Sequence, residues 1–235
     1  NQIEVYKGTA GAHFGADSIG VAINLVADID YVNRMLVIGQ NDSKTIQGNY
    51  IKIINGWNVN VQGGLHESKT ESALSNGTDK DGSENKSLGL NVVKWFSDHL
   101  MFRTNIFARN TYADLDGHSL ALQEGYDSNN RLIAFQTGFN FITQDSKNYI
   151  TLHKHAYDRD YNSPGGEFDE YDSDSYVVRA EHANKPTNKF NYGLGFEHKY
   201  DISTFANRGS YNSSLSEDYD NVAALINFKN GVIGK

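Results

Sequence analysis

The sequence predicts an all-β fold, an incomplete antiparallel β-barrel wall that crosses a membrane with strands. Three observations carry this. Period-2 segments of roughly nine to twelve residues recur from about residue 34 onward, the length that a tilted membrane strand needs. The connections between them alternate between short turns and long polar stretches. Two prolines stand against 22 glycines, 14 Tyr and 12 Phe, which suits strands joined by turns and argues against disorder.

Taken in order, Ile3–Tyr6 and Val21–Val26 read as strands, with a tight turn and a short helical turn around Ala12–Phe14 between them. An edge strand is expected near 34–39. Trp57, Val59, Val61 and Leu65 then oppose Asn58, Asn60, Gln62 and His66. Leu88, Leu90 and Val92 oppose Ser87, Gly89 and Asn91. On Phe102–Tyr112 the polar face carries Arg103, Asn105 and Arg109. Ile133, Phe135, Thr137, Phe139 and Phe141 oppose Ala134, Gln136, Gly138 and Asn140. His153 and His155 share a face of the segment 148–158 with Tyr149, Thr151 and Tyr157, and read as interface residues. Phe190, Tyr192, Leu194, Phe196 and Tyr200 oppose Asn191, Gly193, Gly195, Glu197 and Lys199. A last edge strand falls near 219–228, making about ten strands in all.

Short connections are expected at Asn55-Gly56, Ser97-Asp98, Gln144–Ser146 and Lys185–Asn188. Long ones are expected at about 67–86, 113–130, 161–173 and 201–217. A soluble β-sandwich or solenoid would also alternate. Two features favour the barrel. The apolar faces are rich in Tyr and Phe, as interfacial girdles are, and the opposite faces hold Gly and Asn with few charges, as a crowded lumen does.

Composition excludes several functions. The chain has no cysteine, so thiol chemistry and disulfides are absent. A net charge of −8 disfavours nucleic acid, which needs surplus Lys and Arg. No apolar run reaches the ~20 residues of a membrane helix, and barrel strands do not require one. The sequence starts with Asn and shows no signal peptide, which reads as processing or truncation. No Ser/His/Asp order, nucleophile elbow or zinc spacing occurs, so an enzyme is not expected. His66 or His118 with a nearby Asp is no more than a chance pairing of polar residues.

Gly8, Gly11, Gly15 and Gly20 do not make a phosphate loop, because no Gly-Lys-Ser/Thr follows at the needed spacing. The stretch instead resembles the end of the plug domain of TonB-dependent outer-membrane receptors. The match runs through Ile3, Glu4, Val5, Lys7, Gly8, Phe14, Gly15, Ile19, Gly20, Ile23 and Asn24. It departs at Thr9, Gly11 and Val21. The resemblance implies residues 1–29 as the C-terminal part of a plug and residues 30–235 as the first half of a 22-stranded barrel. It implies a Gram-negative outer membrane, contact with the lipid bilayer, and uptake energised by TonB through a plug segment that precedes this chain. It also implies that Lys7 meets a carboxylate of the barrel wall. A complete small barrel or adhesin is the reading from another class.

Carboxylates cluster in the long connections. Thr78-Asp79-Lys80-Asp81-Gly82 lies in the first, and Asp114, Asp116-Gly117 and Asp127 lie in the second. Clustered carboxylates suit a hard cation, but a D-x-D-G step is also a common solvated turn. Within the receptors the chain looks closest to the cobalamin-transporter group. That resemblance implies calcium held by Asp79, Asp81, Asp114, Asp116 and Asp127, no covalent cofactor, and cobalamin as the ligand. A siderophore or haem on the same scaffold is the alternative. The third connection carries Asp158, Asp160, Glu167, Asp169, Asp172 and Asp174, which read as a solvated acidic loop. Its Tyr157, Tyr161, Phe168 and Tyr171 could stack on a flat macrocycle, and girdle aromatics are the simpler account.

Overall fold

The computed structural model describes residues 2–7, 21–26, 34–39, 42–71, 80–115, 125–164, 168–184, 190–207 and 212–228. Twelve strands lie within them: β1 (Gln2–Lys7), β2 (Val21–Val26), β3 (Arg34–Ile38), β4 (Lys44–Ile54), β5 (Trp57–Glu71), β6 (Lys80–Ser97), β7 (Leu100–Leu115), β8 (Tyr126–Ile142), β9 (Ser146–Asn162), β10 (Phe168–Asn184), β11 (Phe190–Asn207) and β12 (Asn212–Phe228). No helix occurs among the described residues. The helical turn expected at Ala12–Phe14 lies outside them, as do Gly8, Gly15 and Gly20.

β1 and β2 pair antiparallel, with Glu4 opposite Asn24 and Lys7 opposite Val21. The other ten strands form a single sheet in the order β12-β11-β10-β9-β8-β7-β6-β5-β4-β3. Every neighbour in the sheet is also a neighbour in sequence, so each pair is an antiparallel hairpin. β3 and β12 are the two edges.

Three of the short connections are tight, and the fourth, Lys185–Asn188, lies outside the described residues. At Asn55-Gly56 both residues have positive φ, 50° and 79°, as a two-residue hairpin turn of the primed kind requires. Asp98-His99 joins β6 to β7, where Ser97 Oγ accepts from the His99 and Leu100 amides, both at 3.2 Å. Thr143 closes the β8–β9 turn by accepting from the Ser146 amide at 3.0 Å.

The long connections are shorter than the sequence suggests. β6 to β12 each run 16 to 18 residues, against the roughly 9–11 that cross a bilayer at a tilt. The surplus extends the strands into stretches that read as loops. Past the apolar belt both faces become polar, so hydrophobic alternation no longer marks the strand, while the hairpin ladder continues unbroken. Asp81, Asp114 and Asp127 therefore sit on strands.

Alternation divides the sheet into an apolar face and a polar face. Ile106, Ile133, Leu152, Val178 and Phe196 lie on the first and are 41%, 57%, 47%, 40% and 43% exposed. Met101, at 7%, is the one buried hydrophobic side chain among the described residues. A water-soluble sheet covers such a face with a second layer, since patches this large are not left in water. At the short-turn end Trp57 packs edge to face on Phe102, with centroids 5.9 Å apart, and Phe102 packs tilted on Phe139 at 5.2 Å. Lys94 Nζ lies 4.7 Å over the Trp57 ring. This aromatic band with a lysine at its margin has the chemistry of a membrane–water girdle.

Candidate functional site

The polar face is knit by side-chain amides. Asn60, Asn91, Asn105 and Gln136 fall in one row across β5 to β8. The Asn91 amide donates to Asn105, whose own amide donates to Gln136 Oε1 at 3.4 Å. Asn60 is 3% exposed. Further along, the Arg179 guanidinium bonds Glu197 through Nε at 2.8 Å and sits 3.6 Å from Glu181. His153 and His155 lie on this face as well. His153 Nε2 is 3.0 Å from Thr151 Oγ1. The expectation that they face the interface is corrected: the register pairs Gln136 with His153, on the amide side.

At the long-connection end the sequence-predicted acids divide. Asp114 Oδ2 accepts from the Gly82 amide at 3.0 Å, and Asp114 Oδ1 accepts from the Tyr112 hydroxyl at 2.7 Å. Asp127 stands directly opposite Asp114 on β8 and accepts from Asn162 Nδ2 at 2.8 Å. These groups share the face of Gly82. Asp81, one residue away, falls by alternation on the other face with Ser83. The strands thus bring Asp114 and Asp127 together and set Asp81 apart. Asp79 and Asp116 lie outside the described residues. Among the described residues, no three acidic or histidine side chains gather closely enough for a metal.

The Tyr112–Asp114 bond has an electrostatic signature. Tyr112 lies in the last turnward residues of β7, beyond the apolar belt. Its phenol is pushed up to about 12, first by the hydrogen bond to Asp114, then by burial and by the charges of Asp114 and Asp127. Ionising the phenol would remove the donor and set a third anion beside the two carboxylates.

The same end of the polar face carries a hollow of about 470 Å³ lined by Tyr157, Arg159, Tyr161, Asp169, Tyr171 and Phe205. Its walls come from β9, β10 and β11, where Arg159 is opposite Tyr171 and Tyr171 is opposite Phe205. Tyr157 and Tyr171 have ring centroids 6.1 Å apart, and Tyr126 backs Tyr161 at 5.9 Å. The Tyr157 hydroxyl donates to Asn130 Oδ1 at 2.8 Å, and the Asp169 carboxylate accepts from Asn207. The girdle account of Tyr157, Tyr161 and Tyr171 is therefore replaced: they face the polar side. The side chain of Phe168 lies outside the described residues. Sequence reasoning missed Arg159, Tyr126 and Phe205 in this group. Carrying the period-2 parity of 148–158 onward to 162 would have placed Arg159 and Tyr161 beside Tyr157.

The outward side of the same hairpin is acidic. Asp158 stands opposite Asp172, and Asp160 opposite Glu170. Arg131 of β8 reaches both Asp158, at 3.6 Å, and Asp160, at 3.2 Å. The Asp172 carboxyl is raised, by burial first and then by Asp158, Glu170 and Asp160.

No protein-family model and no curated protein matches the chain. Solved structures do match its fold. The siderophore receptor PiuA from Acinetobacter baumannii superposes with a TM-score of 0.55 at 12% identity, over 95% of this chain and 51% of that one. The copper transporter OprC gives 0.60 at 11% identity, over 96% and 47%. The ferric citrate transporter FecA gives 0.55 at 11%, over 97% and 47%. All three are receptors or transporters by name. The chain spans about half the length of the structures it matches. Its ten-stranded sheet has the fold of half a receptor barrel, with the amide-lined face toward the lumen and the apolar face outward.

Proposed function

We propose that this chain belongs to a TonB-dependent uptake receptor of a Gram-negative outer membrane, which binds a metal chelate and passes it inward. One observation carries the reading: a continuous antiparallel sheet with an uncovered apolar face, an amide-lined opposite face and a receptor-barrel likeness over nearly the whole chain. The plug-like sequence of Glu4, Lys7, Gly8, Gly15, Gly20 and Asn24 supports TonB dependence and the division into residues 1–29 and 30–235. The hollow around Tyr157, Tyr161 and Tyr171 lies at the end away from the tight turns. Aromatic faces and a guanidinium there suit a rigid, partly planar chelate. A siderophore-type ligand fits best with these groups.

Cobalamin, and calcium with it, rest on the sequence resemblance at Asp79, Asp81, Asp114, Asp116 and Asp127 alone. The test of the function is uptake by cells that express the intact receptor, with and without an intact energising complex. Energy-dependent accumulation of a chelated metal supports it. A folded, surface-displayed receptor that imports neither a ferric siderophore nor cobalamin refutes it. Equilibrium binding of cyanocobalamin with and without calcium decides the narrower reading.

A further inference from the structure

The apolar face of the sheet is not uniform. Near the β3 edge it carries an open hollow of about 620 Å³. Its floor is two glycines, Gly48 on β4 and Gly63 on β5, which stand directly opposite each other. A Cβ on Gly63 would find its nearest atom at 3.5 Å, so the gap comes from missing side chains and not from a close approach of backbones. Leu36 and Ile46 border it on the long-connection side, and Tyr50 and Val61 on the tight-turn side. Leu88 closes the end toward β6. Gly63 pairs with Leu88, Leu88 with Ala108 and Ala108 with Ile133, so the hollow opens on the lipid-facing side.

The other end of the hollow is charged. Arg34 on β3 lines it, opposite Gly48. An arginine at that depth is costly in hydrocarbon unless it reaches the interface or a counter-anion. Lys44 lies at the long-connection end of β4, about 13 Å along the strand from Gly48. Lys69 and Lys86 continue this cationic margin on β5 and β6. Glu67 and Glu84 stand among them, with Asp42 in the β3–β4 turn beyond, and Glu84 engages Lys86 at 2.5 Å. Glu67 is opposite Lys44, yet among the described residues no ion pair holds Arg34 or Lys44. The balance reverses across β9 and β10. There Asp158, Asp160, Glu170, Asp172 and Asp174 occupy the same face against Lys154 and the neighbouring Arg131.

We propose that this hollow is a lipid site. An acyl chain of an outer-leaflet lipid lies over Gly48 and Gly63, and the phosphate of the same lipid is held by Arg34 and Lys44. Shape and charge select it together. The trough gives one chain contacts on three sides, where a flat lipid-facing wall gives them on one. A phosphate carrying no attached ammonium is the headgroup that a guanidinium and a lysine bind best. The long-connection end is the outer side of such a barrel, which places the headgroup in the outer leaflet. The acidic sector of β9 and β10 repels the same phosphate and confines the site to one side of the wall. This goes beyond the uptake reading and needs only its outer-membrane part.

Native mass spectrometry of the purified intact protein in detergent tests it. The probes are diphosphoryl lipid A and the zwitterionic dipalmitoyl phosphatidylcholine. The expected result is retention of lipid A at concentrations where phosphatidylcholine is not retained. Arg34→Gln combined with Lys44→Gln should weaken that retention about tenfold. Gly63→Leu, which fills the trough, should weaken it about threefold. Lys154→Gln removes the same charge from the acidic sector and should leave it unchanged. Heat-modifiable gel migration confirms that each variant is folded. Equal retention of the two lipids, or an equal effect of the Arg34/Lys44 pair and of Lys154→Gln, overturns the lipid site and leaves the uptake function standing. Recovery of the intact protein outside the outer-membrane fraction overturns both.

Discussion

Replacing Asp114 with Ala tests whether the acids at the long-connection end fasten the hairpin or wait for a ligand. Asp114 holds two protons from two places: the Gly82 amide on β6 at 3.0 Å and the Tyr112 hydroxyl on its own strand at 2.7 Å. The regular β6–β7 ladder reaches only Ser83 opposite Ala113. The Gly82 amide is therefore satisfied by a side chain just where backbone pairing stops. Hydrogen bonds to charged groups contribute about 1.5–3 kcal/mol, and a water-exposed rim favours the lower end. A loss of about 1.5 kcal/mol in local opening is roughly a tenfold faster exchange of the Gly82 amide.

Hydrogen exchange with mass spectrometry on the intact protein reads this from peptides spanning 80–86. Asp114→Ala should speed exchange about tenfold there and leave peptides at the tight-turn end unchanged. Tyr112→Phe keeps the carboxylate and its bond to Gly82, so its effect should be about threefold or less. Equal exchange in the wild type and Asp114→Ala would show that the clasp contributes nothing and that the carboxylate is free for another role.

Other expectations follow from single positions. A Cβ on Gly138 would meet the Ile150 carbonyl and sit 2.8 Å from Thr151 Cγ2, whereas one on Gly63 finds its nearest atom at 3.5 Å; Gly138→Ala should destabilise the folded barrel by about 1–3 kcal/mol in urea unfolding, and Gly63→Ala by much less. The Asp172 carboxyl is raised in the folded state, so folding binds a proton there more tightly, and its contribution falls as pH rises from the ordinary carboxylate range through the raised value. Asp172→Asn should therefore stabilise the β9–β10 hairpin near neutral pH, by no more than about 0.5 kcal/mol at so exposed a site, and the gain should vanish in acid; a gain that persists in acid refutes the charge origin. Tyr112, with its phenol pushed up to about 12, favours folding below the ordinary tyrosine range and loses that contribution as pH climbs toward 12; in an ultraviolet titration Tyr112→Phe should delete a late-ionising tyrosine, and loss of an ordinary one instead contradicts the Asp114 bond.

The sequence made the membrane-facing part legible and the rest much less so, for a physical reason. Between the girdles one face meets lipid and the other does not, so Ile133, Phe135 and Phe139 alternate visibly with Ala134, Gln136 and Gly138. Beyond the belt both faces meet water. Arg131, Asn129 and Asp127 continue the same face as Ile133, but nothing in their polarity says so. Strands there are held by backbone pairing, which leaves no mark on composition. The acids were recognisable as a cluster, and the register then separated them, with Asp114 and Asp127 on one side and Asp81 on the other. The hollow was missed for the same reason: Tyr157 was given a face on the segment 148–158, but Tyr161 and Tyr171 were read as residues of the third connection and Arg159 was not singled out.

Parity also explains how one hairpin serves two environments. In β9 beyond the belt the residues alternate Tyr157, Asp158, Arg159, Asp160, Tyr161. Odd positions give the lumen aromatic faces and a cation. Even positions give the exterior carboxylates, two of them tied by Arg131 at 3.6 and 3.2 Å. β10 repeats the division, with Asp169 and Tyr171 inward and Glu170 and Asp172 outward. A one-residue slip of either strand would exchange the two sets. It would put Asp158 and Asp160 into the hollow and break both Arg131 contacts together. The acids therefore act as a register device. Arg131→Gln should loosen the β8–β9 register near Asp158, which faster hydrogen exchange at 156–162 would report; unchanged exchange there refutes the register role.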